Sequence, residues 1–154
     1  MITIYKPMYQ DLWFRQSMMA DEETMSYNRA FGGTIPFPEE KWKDWYARWV
    51  DNSDGKRYYR YVKNENGDFV GEIAYHYNEE IGGYVANVVI YSKFRGLGLG
   101  SRALDALCAN AKSNGVSVLY YDIAVDNPAA DMFFRHGFTE IYRTDEKIVL
   151  KKEL

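Results

Sequence analysis

The stretch YVANVVIYSKFRGLGLGSRALDALCANAKSNGVSVLYYDIAV, residues 84–125, decides the fold. Its apolar opening, residues 84–92, reads as a strand buried on both faces. Gly96, Gly98 and Gly100 follow at alternate positions behind Arg95. Leu104, Leu107, Cys108 and Ala111 then step at i, i+3, i+4 and i+7, one face of a helix that Asn114-Gly115 closes. Residues 117–125 read as another strand. Strand, helix and strand in this order require two parallel strands and a right-handed crossover. Glycine inside a helix costs about 1 kcal/mol relative to alanine, so three glycines at a helix start need a reason. A helix N-terminus leaves several N–H groups without partners and carries partial positive charge. Bare amides beside a guanidinium suit a phosphate or diphosphate.

Working outward, residues 2–6 alternate like a strand, and Tyr9, Leu12 and Trp13 begin a helical spacing. Residues 32–38, GGTIPFP, form a loop. A second helix opens after Pro38, and its stripe Trp42, Trp45, Tyr46 and Trp49 reads as core. Residues 57–64 and 69–77 are strands joined at Asn66-Gly67. A short helix starts at Asp126 or Asn127, with Pro128 in its first turn. Residues 139–143 and 147–152 form a last hairpin. The order β-α-α-β-β-β-α-β-α-β-β gives an α/β or α+β sandwich: a mixed sheet with helices on its faces.

The chain has 154 residues, enough for one domain, residues 1–154. Aromatics reach 17%, with 14 tyrosines, which suits strands or a pocket gripping something flat or cationic. A net charge of −3 argues against a nucleic-acid or anionic-membrane partner. Cys108 is the only cysteine, so no internal disulfide forms and the cytoplasm is the expected compartment. Residues 1–12 show no basic segment followed by an apolar core, so no secretory leader is expected. No apolar run approaches membrane-spanning length.

Three phosphate loops compete. A Walker loop needs Lys-Ser/Thr after its last glycine, but Gly100 is followed by Ser101-Arg102. Gly98-x-Gly100-x-x-Ala103 fits a dinucleotide fingerprint, and Asp122 falls near its ribose-binding acid. Residues 92–97 nevertheless separate strand from glycines, and only one β-α-β unit is visible. The third loop fits best. Arg95-x-x-Gly98-x-Gly100 resembles the R/Q-x-x-G-x-G/A motif of the GNAT superfamily of acyl-CoA-dependent N-acyltransferases. Residues 90–100, IYSKFRGLGLG, carry Ile90 at a valine position and Ser92 in place of a proline. Residues 126–138, DNPAADMFFRHGF, are similar to the family's N-x-x-A helix ending in Gly-Phe. The element order agrees with that family's fold, a mostly antiparallel sheet with one splayed parallel pair.

The resemblance implies acetyl-CoA as co-substrate and no metal. Its diphosphate would lie on Arg95, Gly96, Leu97, Gly98, Leu99, Gly100 and Ser101. The pantetheine would run between the strands at residues 84–91 and 118–125, against the backbone of Val88, Val89 and Ile90. The Val88 N–H would polarise the acetyl carbonyl. Asn127 would sit beside the pantetheine or act as a plain N-cap. Where the family commonly has an acidic tyrosine, this chain has Phe133 or Phe134, counted from either end of the motif. Tyr91, Tyr120 or Tyr121 takes over, or the thiolate leaves without an acid. The base is Asp122 first and Glu72 second, with His76 assisting. Layout places the acceptor near Tyr27, Phe31 and Glu72, with Asp21, Glu22, Glu23 and Phe37 close by, or else those acids are solvated surface. The expected reaction is direct attack by a small-molecule primary amine, since Cys108 faces the core. Alternatives are an acyl-CoA sensing module of the same fold and a nucleotide-dependent oxidoreductase. Assembly as a homodimer is left open.

Overall fold

The computed structural model describes every residue except Ser53, and Ala30 and Phe31 by their backbone alone. Its strands are β1 (Thr3–Tyr5), β2 (Arg57–Lys63), β3 (Phe69–Asn78), β4 (Gly83–Ile90), β5 (Val118–Ala124), β6 (Thr139–Arg143) and β7 (Lys147–Glu153). Its α-helices are α1 (Leu12–Ala20), α2 (Trp42–Tyr46), α3 (Leu99–Ser113) and α4 (Ala130–Arg135). One sheet runs in the order β1-β2-β3-β4-β5-β7-β6. Every neighbouring pair is antiparallel except β4 and β5. The element order and the mixed sheet are those read from the sequence.

Alternation along the strands gives the sheet two apolar faces. On one, Leu104, Leu107, Cys108 and Ala111 of α3 are buried against Ile73, Ile90, Leu119 and Ile123. On the other, Leu12, Phe14, Met18 and Met19 of α1 and Trp42 and Trp45 of α2 pack on Tyr59, Tyr61, Ala74 and Val89. The molecule is thus helix, sheet, helix, and the parallel pair lies near its middle.

That pair holds together over two positions only, Tyr84↔Leu119 and Val85↔Tyr120. Beyond them β4 and β5 diverge and leave a notch. β4 continues to pair with β3 on its other side, as far as Gly71↔Ile90.

Two details differ from expectation. Tyr9–Asp11 forms a tight 3-10 turn, because the Asp11 carboxylate accepts from the Met8 N–H at 2.9 Å and the Tyr5 hydroxyl at 2.6 Å. The helix therefore starts at Leu12 in a rotated phase, with Trp13 51% exposed. Near the other end, Asn127 Oδ1 accepts from the Ala129 N–H at 2.9 Å. This closes a turn before the helix, so α4 begins at Ala130 and Ala129, not Asn127, is its N-cap.

Candidate active site

The glycine loop presents bare backbone to open space. Gly96 has φ +82° and Gly98 has φ +77°, a left-handed conformation that side chains disfavour. A Cβ built on either would meet nothing within 4 Å, so these glycines answer no contact inside the protein. Gly98 is the N-cap of α3, and no side chain caps that helix. The N–H groups of its first turn have no intrahelical acceptor.

The loop is braced from behind. The Arg95 guanidinium donates to the carbonyls of Glu23 (2.9 Å), Thr24 (2.8 Å) and Ile90 (3.3 Å). It therefore pins the loop to the 3-10 segment Thr24–Phe31 as well as bringing charge. Asp21 Oδ2 accepts from the Thr24 and Ser92 hydroxyls, each at 2.5 Å. These bonds, Ser92's first, hold the Asp21 carboxyl below its ordinary pKa. On the open side, Ser101 Oγ lies 2.5 Å from His136 Nε2, and His136 Nδ1 lies 2.7 Å from Asp105 Oδ1. A carboxylate only accepts, so Nδ1 carries a proton, and a neutral His136 accepts from Ser101. His136 is the C-cap of α4, but its ring serves the loop.

In the notch, the Val88 N–H donates to the Tyr121 hydroxyl at 2.8 Å. Burial pushes that hydroxyl well above the ordinary tyrosine range, and the Val88 N–H opposes the rise. The Phe133 ring is buried 4.3 Å from the Tyr121 ring, whereas Phe134 is 41% exposed. Tyr121 thus puts a hydroxyl where β4 and β5 part.

On the α1 and α2 side, the notch adjoins a cavity of about 240 Å³ lined by Arg15, Trp45, Glu72, Asn87 and Asp122 among others. Glu72 is 2% exposed, and among the described residues its Oε2 has no hydrogen-bond partner. Arg15 Nε and Nη1 and the Tyr59 hydroxyl are likewise buried without partners. The Arg15 guanidinium lies over the rings of Trp45 (4.5 Å) and Phe37 (4.7 Å). Asp122 stands at the rim, 45% exposed, with Lys147 Nζ 3.6 Å away. Burial, then Arg57, holds His76 below its ordinary pKa, with Asp122 opposing, so the ring stays neutral near pH 7.

A sequence model of the acetyltransferase (GNAT) family matches residues 8–138. The chain belongs to the GNAT acetyltransferase family. Solved structures agree in fold with this GNAT protein. Spermidine N-acetyltransferase from Vibrio cholerae, in complex with CoA and spermine, is 17% identical with a TM-score of 0.80, covering 99% of this chain and 95% of that one. A protein proposed to be a phosphinothricin N-acetyltransferase is 21% identical with a TM-score of 0.73, covering 100% and 99%. A GNAT-family acetyltransferase from Bacillus anthracis is 16% identical with a TM-score of 0.75, covering 99% and 94%.

Of the residues singled out in this GNAT sequence, Glu72 and Asp122 line one cavity. Tyr27 is 40% exposed, and burial of its hydroxyl pushes its pKa up to about 12. Glu72 adds to that rise, while Arg15, Arg95 and Asn87 oppose it. Tyr91 packs edge-on against Phe14 at 5.8 Å, beyond the end of β4 and on the α1 side. The Phe31 side chain lies outside the described residues. Sequence reasoning missed Arg15, Asn87, Asp105 and the ring of His136. Arg15 carried a signal, because it sits at i+3 from Leu12 and i−4 from Met19, both buried. The shifted start of α1 hid it.

Proposed function

We propose that this GNAT protein, acting as one cytoplasmic domain, transfers the acetyl group of acetyl-CoA to the primary amine of a small molecule. The carrying observation is one set of features: an uncapped helix start, a notch between parallel strands, and a cavity lined by Glu72, whose buried Oε2 has no partner among the described residues. Two fold neighbours carry names that specify small amines, spermidine and phosphinothricin.

The residues fit the coenzyme. Open amides from Gly96 to Ser101 suit its diphosphate, and a Cβ at Gly96 or Gly98 would project into that space. The edge of β4 that parts from β5 suits the pantetheine amides, which would take over from the Tyr121 hydroxyl on the Val88 backbone and from Arg95 Nε on the Ile90 carbonyl, while Val89 is buried on the other face. When bound, acetyl-CoA supplies an activated acyl group on a thiol leaving group. The chain's residues do the rest. Glu72 takes the proton of the attacking ammonium, directly or through a water, because a protonated amine has no lone pair for the acyl carbon. Asp122 is the poorer base, being half-exposed beside Lys147. Tyr121 replaces the tyrosine absent at Phe133. Its hydroxyl accepts from the Val88 N–H at 2.8 Å and donates to the Val88 carbonyl at 3.4 Å, a long bond from which its proton can turn to the departing sulfur. The nitrogen–carbon bond forms and the carbon–sulfur bond breaks; nitrogen loses two protons, one to Glu72 before attack and one that restores the Tyr121 hydroxyl after it has protonated the sulfur. No enzyme-bound acyl group is needed, since Cys108 is buried on α3.

Two measurements test this reading. CoA, but not NAD, should raise the melting temperature. Free thiol should appear from acetyl-CoA when a competent amine is added. No stabilisation by CoA, or no thiol with any of a broad set of amines, overturns the proposal.

A further inference from the structure

We propose that the acceptor is an amino acid, a small amine that carries its own acidic group, with Arg15 receiving the acid and Glu72 the amine. This rests on the transfer reading above and narrows its substrate class.

Arg15 and Glu72 are opposite charges, neither with an ion-pair partner among the described residues. Arg15 is half-buried on α1, on the side of the buried Leu12 and Met19. A guanidinium there is tolerated when its N–H groups are matched. Its Nε and Nη1 have no acceptor, and among the described residues no carboxylate lies within 4 Å of it. Only aromatic faces accompany it, Trp45 at 4.5 Å and Phe37 at 4.7 Å. Across the same cavity, Glu72 Oε2 is also buried and unmatched.

Opposite charges in one small cavity normally collapse onto each other. Here the guanidinium is held in its aromatic clamp while Glu72 is fixed on β3, opposite Tyr61 and Val89 in neighbouring strands. The two form no ion pair within 4 Å, and both residues line the same 240 Å³. A molecule bearing one cation and one anion satisfies both. A polyamine offers cations only, leaving Arg15 unmatched and repelled. A simple monoamine leaves it merely unmatched. The ammonium end then lies with Glu72, the group proposed to take its proton, beside the notch that β4 and β5 open. Trp45 and Trp49 supply an apolar wall for the side chain.

The test compares initial acetyl-transfer rates of the full chain for a set of amino acids, their carboxamides, the corresponding decarboxylated amines, and spermidine. The acids should exceed their own amides at least tenfold in kcat/KM. Arg15→Gln should raise KM for the acids roughly ten- to hundredfold, with kcat nearly kept, and erase the preference for acid over amide. Arg15→Lys should restore part of that preference. The CoA-induced rise in melting temperature should be the same in all three proteins, which also checks that the variants fold. Equal rates for acids and amides in the unaltered chain, or better rates with spermidine, overturn the acceptor class and leave acetyl transfer standing. Absence of turnover with every compound, despite stabilisation by CoA, overturns both.

Discussion

Glu72 lines the cavity and has a carboxylate oxygen that is buried and, among the described residues, unpartnered. Glu72→Gln keeps the shape and removes the proton acceptor. It should lower kcat by roughly a hundredfold or more near pH 7. The loss should shrink as pH rises, because an amine with pKa about 10 deprotonates by itself in that range. Asp122→Asn should change kcat less than about threefold, as expected for an exposed carboxylate beside a lysine. A larger effect at Asp122 would move the base to the rim, and a pH-independent loss at Glu72 would make it a binding group only. Tyr121→Phe should cost about tenfold in kcat, modest because a thiol near pKa 8.5 leaves tolerably well unaided. Since burial holds the Tyr121 hydroxyl above its ordinary range, the unaltered enzyme should show no alkaline fall in rate from this group near pH 10. Such a fall, abolished in Tyr121→Phe, would contradict the burial argument.

At the level of elements, the start of α3 separates folding from binding. Gly98 has φ +77° and no neighbour within 4 Å of its missing Cβ. Gly98→Val therefore meets backbone strain of about 1–3 kcal/mol but no internal clash. The protein should still melt cooperatively, a few degrees lower, while CoA no longer raises its melting temperature. Retained stabilisation by CoA would place the diphosphate elsewhere. This element was the most legible in the sequence, because its period of 3.6 and its glycines state one geometry twice. All four predicted core positions, Leu104, Leu107, Cys108 and Ala111, are buried. The flanking strands were legible for the same reason, as alternation and turn residues agree. Legibility failed where short-range hydrogen bonds shift a helix start. Asp11 tightens the turn before α1, and Asn127 the turn before α4. Those few residues of phase left Arg15, which lines the cavity, out of the sequence reading. The relay Asp105, His136 and Ser101 was illegible because it joins two helices. No local pattern reports such a meeting.

Across the whole molecule, coenzyme loop and acceptor side are tied by one small network. Asp21 follows α1, Thr24 opens the segment beyond it, and Ser92 and Arg95 precede α3. Asp21 accepts from both hydroxyls, Thr24 Oγ1 accepts from the Ser92 N–H at 2.9 Å, and Arg95 donates to the carbonyls of Glu23 and Thr24. A helix from one face of the sheet is thereby fastened to the loop feeding the helix on the other. The carboxylate is the hub, since it only accepts and its neighbours only donate to it. Its folded pKa lies below its ordinary 3.8. The stabilisation it gives is therefore fully present above the unfolded value and is lost as pH falls through the folded one. Asp21→Asn removes that dependence along with much of the network. The melting temperatures of the two proteins should differ by a constant amount from about pH 5 to pH 8 and converge as pH drops below about 4. If the gap instead widens in acid, Asp21 is protonated in the fold and the hub is misassigned. Because the network braces both sites, Asp21→Asn should also weaken CoA and amine together, raising both KM values at pH 7. A change in only one would mean that loop and cavity are held independently.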